Sequence, residues 1–355
     1  MRRILSFAVA GLFAGIFVLS SNSHWMQALA LSRSSINAAV PADKYRFGDL
    51  YSLCYLPDYK QRAFNAADLR PNYVRQKAPG NEVCLYSICD SYLAAFLLND
   101  SLLSHARSYQ FIRWNTKAKQ VCLDSTKHNI LVLETVEREV RSMRLQDTAY
   151  IYRHLGVVAA PGQETEREFE PASWISQHVF NKNIEDNLEL NLFDYRFFTP
   201  IKELKAQFNH RVFNRTSPDV VLSKTRRQLY YAQTVDTTAA VNSSFKQVPD
   251  KDIEQVVGNL NRVYRHYRRA GFEQVYLAIM PNPVTILEPH LLTYNQVIPR
   301  IQRHPALQMP VIDVYAKLLH NRTRPIYQVS DSHWAKEGFL LGIAQVDSAL
   351  ATYSK

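Results

Sequence analysis

Apolar and polar positions along this chain fall into two regimes. Val83-Cys84-Leu85-Tyr86-Ser87-Ile88-Cys89, Asn129–Glu134 and Gln274–Met280 are short, nearly continuous apolar runs of strand length, the mark of strands covered on both faces. Helical patterns follow them. Tyr92–Leu98 has the apolar density of a buried helix, and Val136–Leu145 reads as a charged helix. Ile253, Val256, Val257, Leu260, Val263, Tyr264 and Tyr267 share one helical face, with Gly271 as a natural stop. Leu291–Arg303 predicts another helix, Pro310–Val314 a short strand, and Ala335–Leu350 a closing helix with Phe339, Leu340, Ile343, Val346 and Leu350 on its apolar face. Buried strands alternating with helices predict an α/β fold around a mainly parallel sheet.

Other stretches lack this order. At the N-terminus, Arg2 and Arg3 precede the uncharged run Ile4–Leu19, and polar residues then lead to Ala28-Leu29-Ala30, with the small-x-small look of a cleavage site. Residues 1–31 therefore read as a signal peptide or, if uncleaved, a membrane anchor. Both readings place the chain outside the cytosol. Residues 40–80, rich in Tyr, Pro and Arg, suit an irregular arm. Residues 149–250, with Pro161-Gly162, Pro171, Pro200, Pro218 and aromatics such as Trp174, Phe193, Tyr195, Phe197 and Phe198, read as a mixed insertion or cap. The α/β domain is then assembled from 81–148 and 251–355.

Composition narrows the chemistry. Only 10 of 355 residues are glycine, and none stands at the spacing of a dinucleotide or P-loop fingerprint, which argues against nucleotide cofactors. The net charge of +10 is spread thinly. Its densest runs, Arg262–Arg269 and Lys224–Arg227, are short, so nucleic acid is not an expected partner. Cys54, Cys84, Cys89 and Cys122 lack metal-ligand spacing, and no metal or other cofactor is expected. Cys84 and Cys89, in an apolar stretch, read as buried free thiols; pairing is otherwise open.

In a parallel sheet the reactive groups sit beyond the carboxyl ends of the strands. Ser91 follows the Val83–Cys89 strand and opens a helix, so its hydroxyl and backbone N–H groups face the same space. Asp331 and His333, spaced i, i+2 before the closing helix, let a carboxylate orient an imidazole. Asn282, between Pro281 and Pro283 after Gln274–Met280, offers an amide to an oxyanion or simply forms a turn.

Leu85–Tyr92, with Asp90-Ser91, resembles the first block of the SGNH (GDSL-type) hydrolases, and Asp331-Ser332-His333-Trp334 with Gly338 resembles their last. Within that superfamily the chain is most similar to the SGNH-like O-acetyltransferases of bacterial exopolysaccharide (alginate-type) acetylation, which share Ser-Tyr, as at Ser91-Tyr92, and an Asp-x-His-Trp motif. Asn129–Arg138 is similar to the strand and Glu-Arg stretch between their blocks. Cys89 stands where the hydrolases carry glycine, no Gly-x-Asn-Asp block is present, and the serine precedes the Asp-x-His, opposite to the alginate proteins.

The resemblance implies a three-layer SGNH-hydrolase-like sandwich and a Ser91–His333–Asp331 triad, with Cys89, Asp90 and Tyr92 shaping the nucleophile turn. It also implies an acetyl-serine intermediate, a polysaccharide acceptor, and a membrane-bound O-acyltransferase supplying acetyl groups to a periplasmic protein, free or tethered to the inner membrane. An acetyl esterase or deacetylase with the same triad, or an inactive accessory protein of such a system, are the alternatives.

Overall fold

The computed structural model describes residues 2–21, 46–65, 69, 75–80, 82–94, 100–114, 119–121, 123–142, 151–153, 195–238 and 243–353. Ala28–Ala30, residues 95–98 of the expected first helix, Cys122 and residues 149–150, 154–194 (Trp174 included) and 239–242 of the expected insertion lie outside them.

In chain order the helices are α1 (Arg2–Ser21), α2 (Tyr51–Cys54), α3 (Ser91–Ala94), α4 (Thr199–Phe213), α5 (Asp250–Arg269), α6 (Pro283–Leu287), α7 (Val297–Gln302), α8 (Val314–His320) and α9 (Lys336–Leu350). The strands are β1 (Val83–Cys89), β2 (Ser108–Arg113), β3 (Lys119–Val121), β4 (His128–Val136), β5 (Ile151–Arg153), β6 (Val220–Leu222), β7 (Leu229–Tyr231) and β8 (Gln274–Met280). Two compact units are present. One comprises Met1–Phe47, Tyr55–Asp58 and Ala159–Arg215, and holds α1 and α4. The other comprises Gly48–Cys54, Tyr59–Val158 and Thr216–Lys355, and holds the sheet and every residue of the candidate site. Residues 216–250 therefore fold with the α/β unit; the Leu229 N–H, for instance, donates to the Val329 carbonyl at 2.9 Å. Among the described residues no helix is long and apolar enough to cross a membrane.

The larger unit is α/β, built on a four-stranded sheet ordered β2-β1-β4-β8 with every neighbouring pair parallel. Its apolar runs are buried as that arrangement demands: Val83, Leu85 and Ile88 in β1, Ile130 to Leu133 in β4, and Val275 and Leu277 to Met280 in β8. Val311 adds a single parallel bridge to Leu277, where the sequence suggested a strand over Pro310–Val314. Asp313 ends that extension by capping α8, its carboxylate accepting the Ala316 N–H at 2.9 Å. Helices α5 and α8 pack on β8, and α9 packs on α8. β3 pairs with β5 and β6 with β7 in separate two-stranded ladders.

Two helical expectations are corrected. The Val136–Leu145 segment does not continue as a helix from its start: β4 runs on to Val136 and a 3₁₀ turn, Glu137–Glu139, follows. Glu137 is tied down in the interior, its carboxylate accepting from Asn282 N at 2.8 Å and Thr285 Oγ1 at 2.7 Å. The Leu291–Arg303 helix is confined to α7, because Gln296 takes a left-handed conformation just before it (φ 59°) and Asn295 is spent on the carbonyls of Ser243 and Lys246. β2, a half-exposed edge strand, carries little of the apolar signal that marked the others.

Strand order places the site. From β1 the chain moves outward to β2 and then returns to β4 on the opposite side of β1, so it changes direction at the β1/β4 boundary, where an open parallel sheet leaves a crevice at its carboxyl edge. Ser91 follows β1, and Glu137 and Arg138 follow β4.

Candidate active site

Ser91, the first residue of α3, directs its hydroxyl to His333 Nε2 at 2.6 Å, and His333 Nδ1 lies 2.6 Å from Asp331 Oδ1. With its proton on Nδ1 donated to Asp331, the neutral imidazole presents Nε2 as the acceptor for the Ser91 hydroxyl. The Asp331 carboxylate also receives the His333 N–H at 2.8 Å, so one side chain fixes both the ring and its backbone. Tyr92 closes the other side. Its ring lies 5.1 Å from that of His333 and edge-on to Trp334 at 4.8 Å, and its hydroxyl donates to the Ser332 carbonyl.

Charge favours this assembly. Burial raises the Asp331 pKa, but the hydrogen bond and charge of His333, with the backbone N–H groups of His333 and Asp49, outweigh it and hold the carboxyl below its usual range. Burial likewise pushes His333 down, yet the Asp331 hydrogen bond and the charges of Asp331 and Asp49 leave its pKa raised, with Arg138 opposing them. The result is a firm base beside the serine.

Asp49 is a site residue that sequence reasoning missed, hidden in the irregular 40–80 arm. Its carboxylate accepts the Ser332 N–H at 2.7 Å and the Ser332 hydroxyl, and its own N–H donates to Asp331 Oδ2 at 3.0 Å. The Leu50 and Tyr51 N–H groups both donate to the Ser330 carbonyl, at 3.1 and 3.0 Å. Gly48 makes the approach possible: its φ is 103°, and a Cβ there would run into the Ser330 carbonyl. Residues 48–51 thus grip the loop that carries the base. The available cue was a lone Gly-Asp pair in a glycine-poor chain.

Glu134 is a second. Fully buried in β4, it accepts the Asp90 N–H at 2.7 Å through its carboxylate and the Trp114 indole N–H at 2.6 Å through its carbonyl, holding the turn into Ser91. A carboxylate inside an otherwise apolar strand was its signal. Cys89 is buried at the end of β1 and is not among the residues with positive φ. Extended backbone accommodates its side chain where a tight turn would require glycine. Burial raises its thiol pKa, and Cys84 and Cys89 are both free thiols.

Two expected contributions stand elsewhere. The Ser91 N–H, the anticipated oxyanion donor, donates to Asp90 Oδ1 at 2.9 Å, as short acidic side chains commonly do to nearby backbone. Asn282 is 1% exposed and faces inward, its amide donating to Ser244 Oγ at 3.0 Å and its N–H to Glu137. It follows β8, two strands from β1, which leads to Ser91, or about 10 Å at ordinary strand spacing.

A cavity of about 320 Å³ opens beside the triad, lined by Asp49, Leu50, Arg138, Tyr231, Gln233 and Ser332, among others. Arg138 is its guanidinium, with no hydrogen bond or ion pair among the described residues. Ligating atoms of Asp49, Asp331 and His333 lie within 4.8 Å of one another. Their oxygens accept from Ser332, from the Asp49 N–H and from the His333 ring, so the three belong to one hydrogen-bonded network.

Comparison with family models, curated proteins and solved structures finds no match to this chain.

Proposed function

We propose that this chain is an exported acyl-transfer enzyme of SGNH-like, three-layer architecture that O-acetylates a polysaccharide through an acetyl-serine intermediate. The observation that carries the reading is the unbroken relay from Ser91 Oγ through His333 to Asp331, at 2.6 Å and 2.6 Å, at the carboxyl edge of a parallel sheet. Such a relay serves one purpose well, the activation of a weak nucleophile.

His333 takes the Ser91 proton as Oγ bonds to the acetyl carbonyl carbon of a donor ester. Collapse of the tetrahedral intermediate breaks the carbon–oxygen bond to the leaving alcohol, which receives the proton from His333. A sugar hydroxyl then attacks the acetyl-serine, giving its proton to His333, which returns it to Ser91. Arg138, the uncommitted cation of the adjoining cavity, is the candidate to stabilise the oxyanion, since the Ser91 N–H is held by Asp90. Delivery of acetyl groups by a membrane-bound O-acyltransferase, and a periplasmic location, complete the proposal. Hydrolysis by the same triad differs only in taking water as acceptor.

The test is turnover of a chromogenic acetyl ester by wild type and by Ser91→Ala, with mass spectrometry of the peptide containing Ser91. An initial burst and an acetylated peptide in wild type alone are expected. A wild type no faster than the variant overturns the reading. Adding an oligosaccharide then decides the acceptor: acetylated sugar supports transfer, acetate alone supports an esterase.

A further inference from the structure

In the smaller unit, α4 presents a row of apolar side chains to the outside. Ile201, Leu204, Phe208 and Val212 recur at i, i+3, i+7 and i+11, one stripe along the helix, and they are 62%, 69%, 55% and 58% exposed. Phe197, in the 3₁₀ turn just before the helix, is 63% exposed, and Phe213 at its end is 55% exposed. The partly covered positions are instead polar or small: Lys202, Glu203, Ala206, Gln207, Asn209 and His210. A soluble helix turns its apolar stripe inward. A contiguous exposed one marks a surface that another phase or molecule covers.

Charge identifies the cover. At about 100° per residue, Lys205 lies on one flank of the stripe and Arg211 on the other, both exposed and without an ion pair among the described residues. Arg215 follows the helix, its guanidinium 6.0 Å from the Phe213 ring centroid. Tyr195, Phe197 and Phe198 form an aromatic cluster at the helix entry, Tyr195 stacked on Phe197 with ring centroids 5.8 Å apart and Phe198 tilted against Phe197 at 4.2 Å. An apolar stripe bordered by cations, with aromatics at its end, matches the layering of a bilayer interface, acyl chains below and anionic headgroups beside. A protein groove would not require cations on both flanks. The apolar α1 belongs to the same unit, so the chain carries two features suited to one surface.

We propose that α4 is an interfacial helix that lies in the surface of an anionic bilayer with Ile201, Leu204, Phe208 and Val212 among the acyl chains. At 1.5 Å per residue the helix is about 22 Å long, enough to lie flat and too short to span. The proposal stands apart from the acyl-transfer reading and concerns where the chain works.

The experiment uses the full chain with Phe208→Trp, the wild-type fluorescence subtracted, on vesicles of phosphatidylcholine and phosphatidylglycerol carrying brominated acyl chains. Quenching by the brominated lipid with protection from aqueous acrylamide is the expected result, read at the stripe itself and so independent of α1. A vesicle-bound chain whose introduced tryptophan stays open to acrylamide and unquenched by lipid overturns the proposal. Concentration-dependent protection without vesicles also overturns it, in favour of a second copy as the cover. Lys205→Gln with Arg211→Gln keeps the stripe and lowers partitioning of the helix into anionic vesicles roughly thirtyfold. Equal quenching for this double variant, or in vesicles of phosphatidylcholine alone, contradicts the assignment to an anionic surface.

Discussion

The backbone N–H of Asp49 donates to the carboxylate of Asp331 at 3.0 Å across a sequence separation of 282 residues. With the Asp49 carboxylate on Ser332, the contact makes Asp49 a positioning residue for a base it does not itself touch within hydrogen-bonding distance, His333 Nδ1 being 3.8 Å away. Asp49→Ala is expected to lower kcat for a small acetyl ester about a hundredfold, the usual cost of a reacting group displaced by about 1 Å, with KM changed little. Asp49→Asn keeps an acceptor for Ser332 and should recover most of that loss. Equal damage by both substitutions would assign Asp49 a role in charge and not in position.

The pH profile reads the same cluster. His333 is a base only when neutral, and its pKa is raised above the ordinary 6.5. Activity therefore appears as pH rises through that raised value, and the acid limb of kcat/KM is expected to have its midpoint above 6.5. Asp49→Asn removes a charge that raises the pKa and should move the limb to lower pH; Arg138→Gln removes one that lowers it and should move the limb up. Shifts in the same direction would contradict this electrostatic account.

Gly48→Ala tests the grip on the Ser330–Ser332 loop from its backbone. A Cβ at a φ of 103°, facing the Ser330 carbonyl, forces the two segments apart. A stability loss of about 1–3 kcal/mol in urea unfolding and a fall in activity resembling that of Asp49→Ala are expected. A fully active, equally stable variant would show that the segment does not hold the base.

Glu137 gives a stability prediction unrelated to turnover. Burial pushes its pKa up to about 7 from 4.5, opposed by the hydrogen bonds from Asn282 and Thr285. The folded state holds the proton more tightly than the unfolded chain, so the contribution is full below pH 4.5 and is lost as pH rises toward 7. Wild type should lose up to about 3 kcal/mol over that window relative to Glu137→Gln. Parallel stability curves for the two proteins would show the carboxyl to be ionised in the fold throughout.

What the sequence made legible follows from how local each signal is. β1 and β8 end where their apolar runs end, because burial on both faces leaves an unbroken stretch of large side chains. Ser91, Asp331 and His333 could be picked out because a strand end and a helix start bracket them. Asp49 was invisible because its role depends on a contact made 282 residues away. Asn282 failed as an oxyanion donor for the same reason: the chain shows that it follows a strand, while only the sheet order shows that β4 lies between that strand and β1. The charged Val136–Leu145 pattern looked helical because periodicity does not reveal that Glu137 is drawn into the interior by Asn282 and Thr285.

The grip of residues 48–51 on the 330–332 loop also sets an order of events in the life of the chain. Ser91 and His333 are 242 residues apart, and the nucleophile's strand can form long before the base is made. A chain extended only to residue 330 holds a serine as unreactive as any in water. In the proposed acyl transfer, nucleophilic chemistry would begin only once Asp331–His333 is held by Gly48–Tyr51, so an incomplete or still-unfolded molecule would neither consume acyl donors nor acylate its neighbours. On that proposal, completion of folding is itself the activation step.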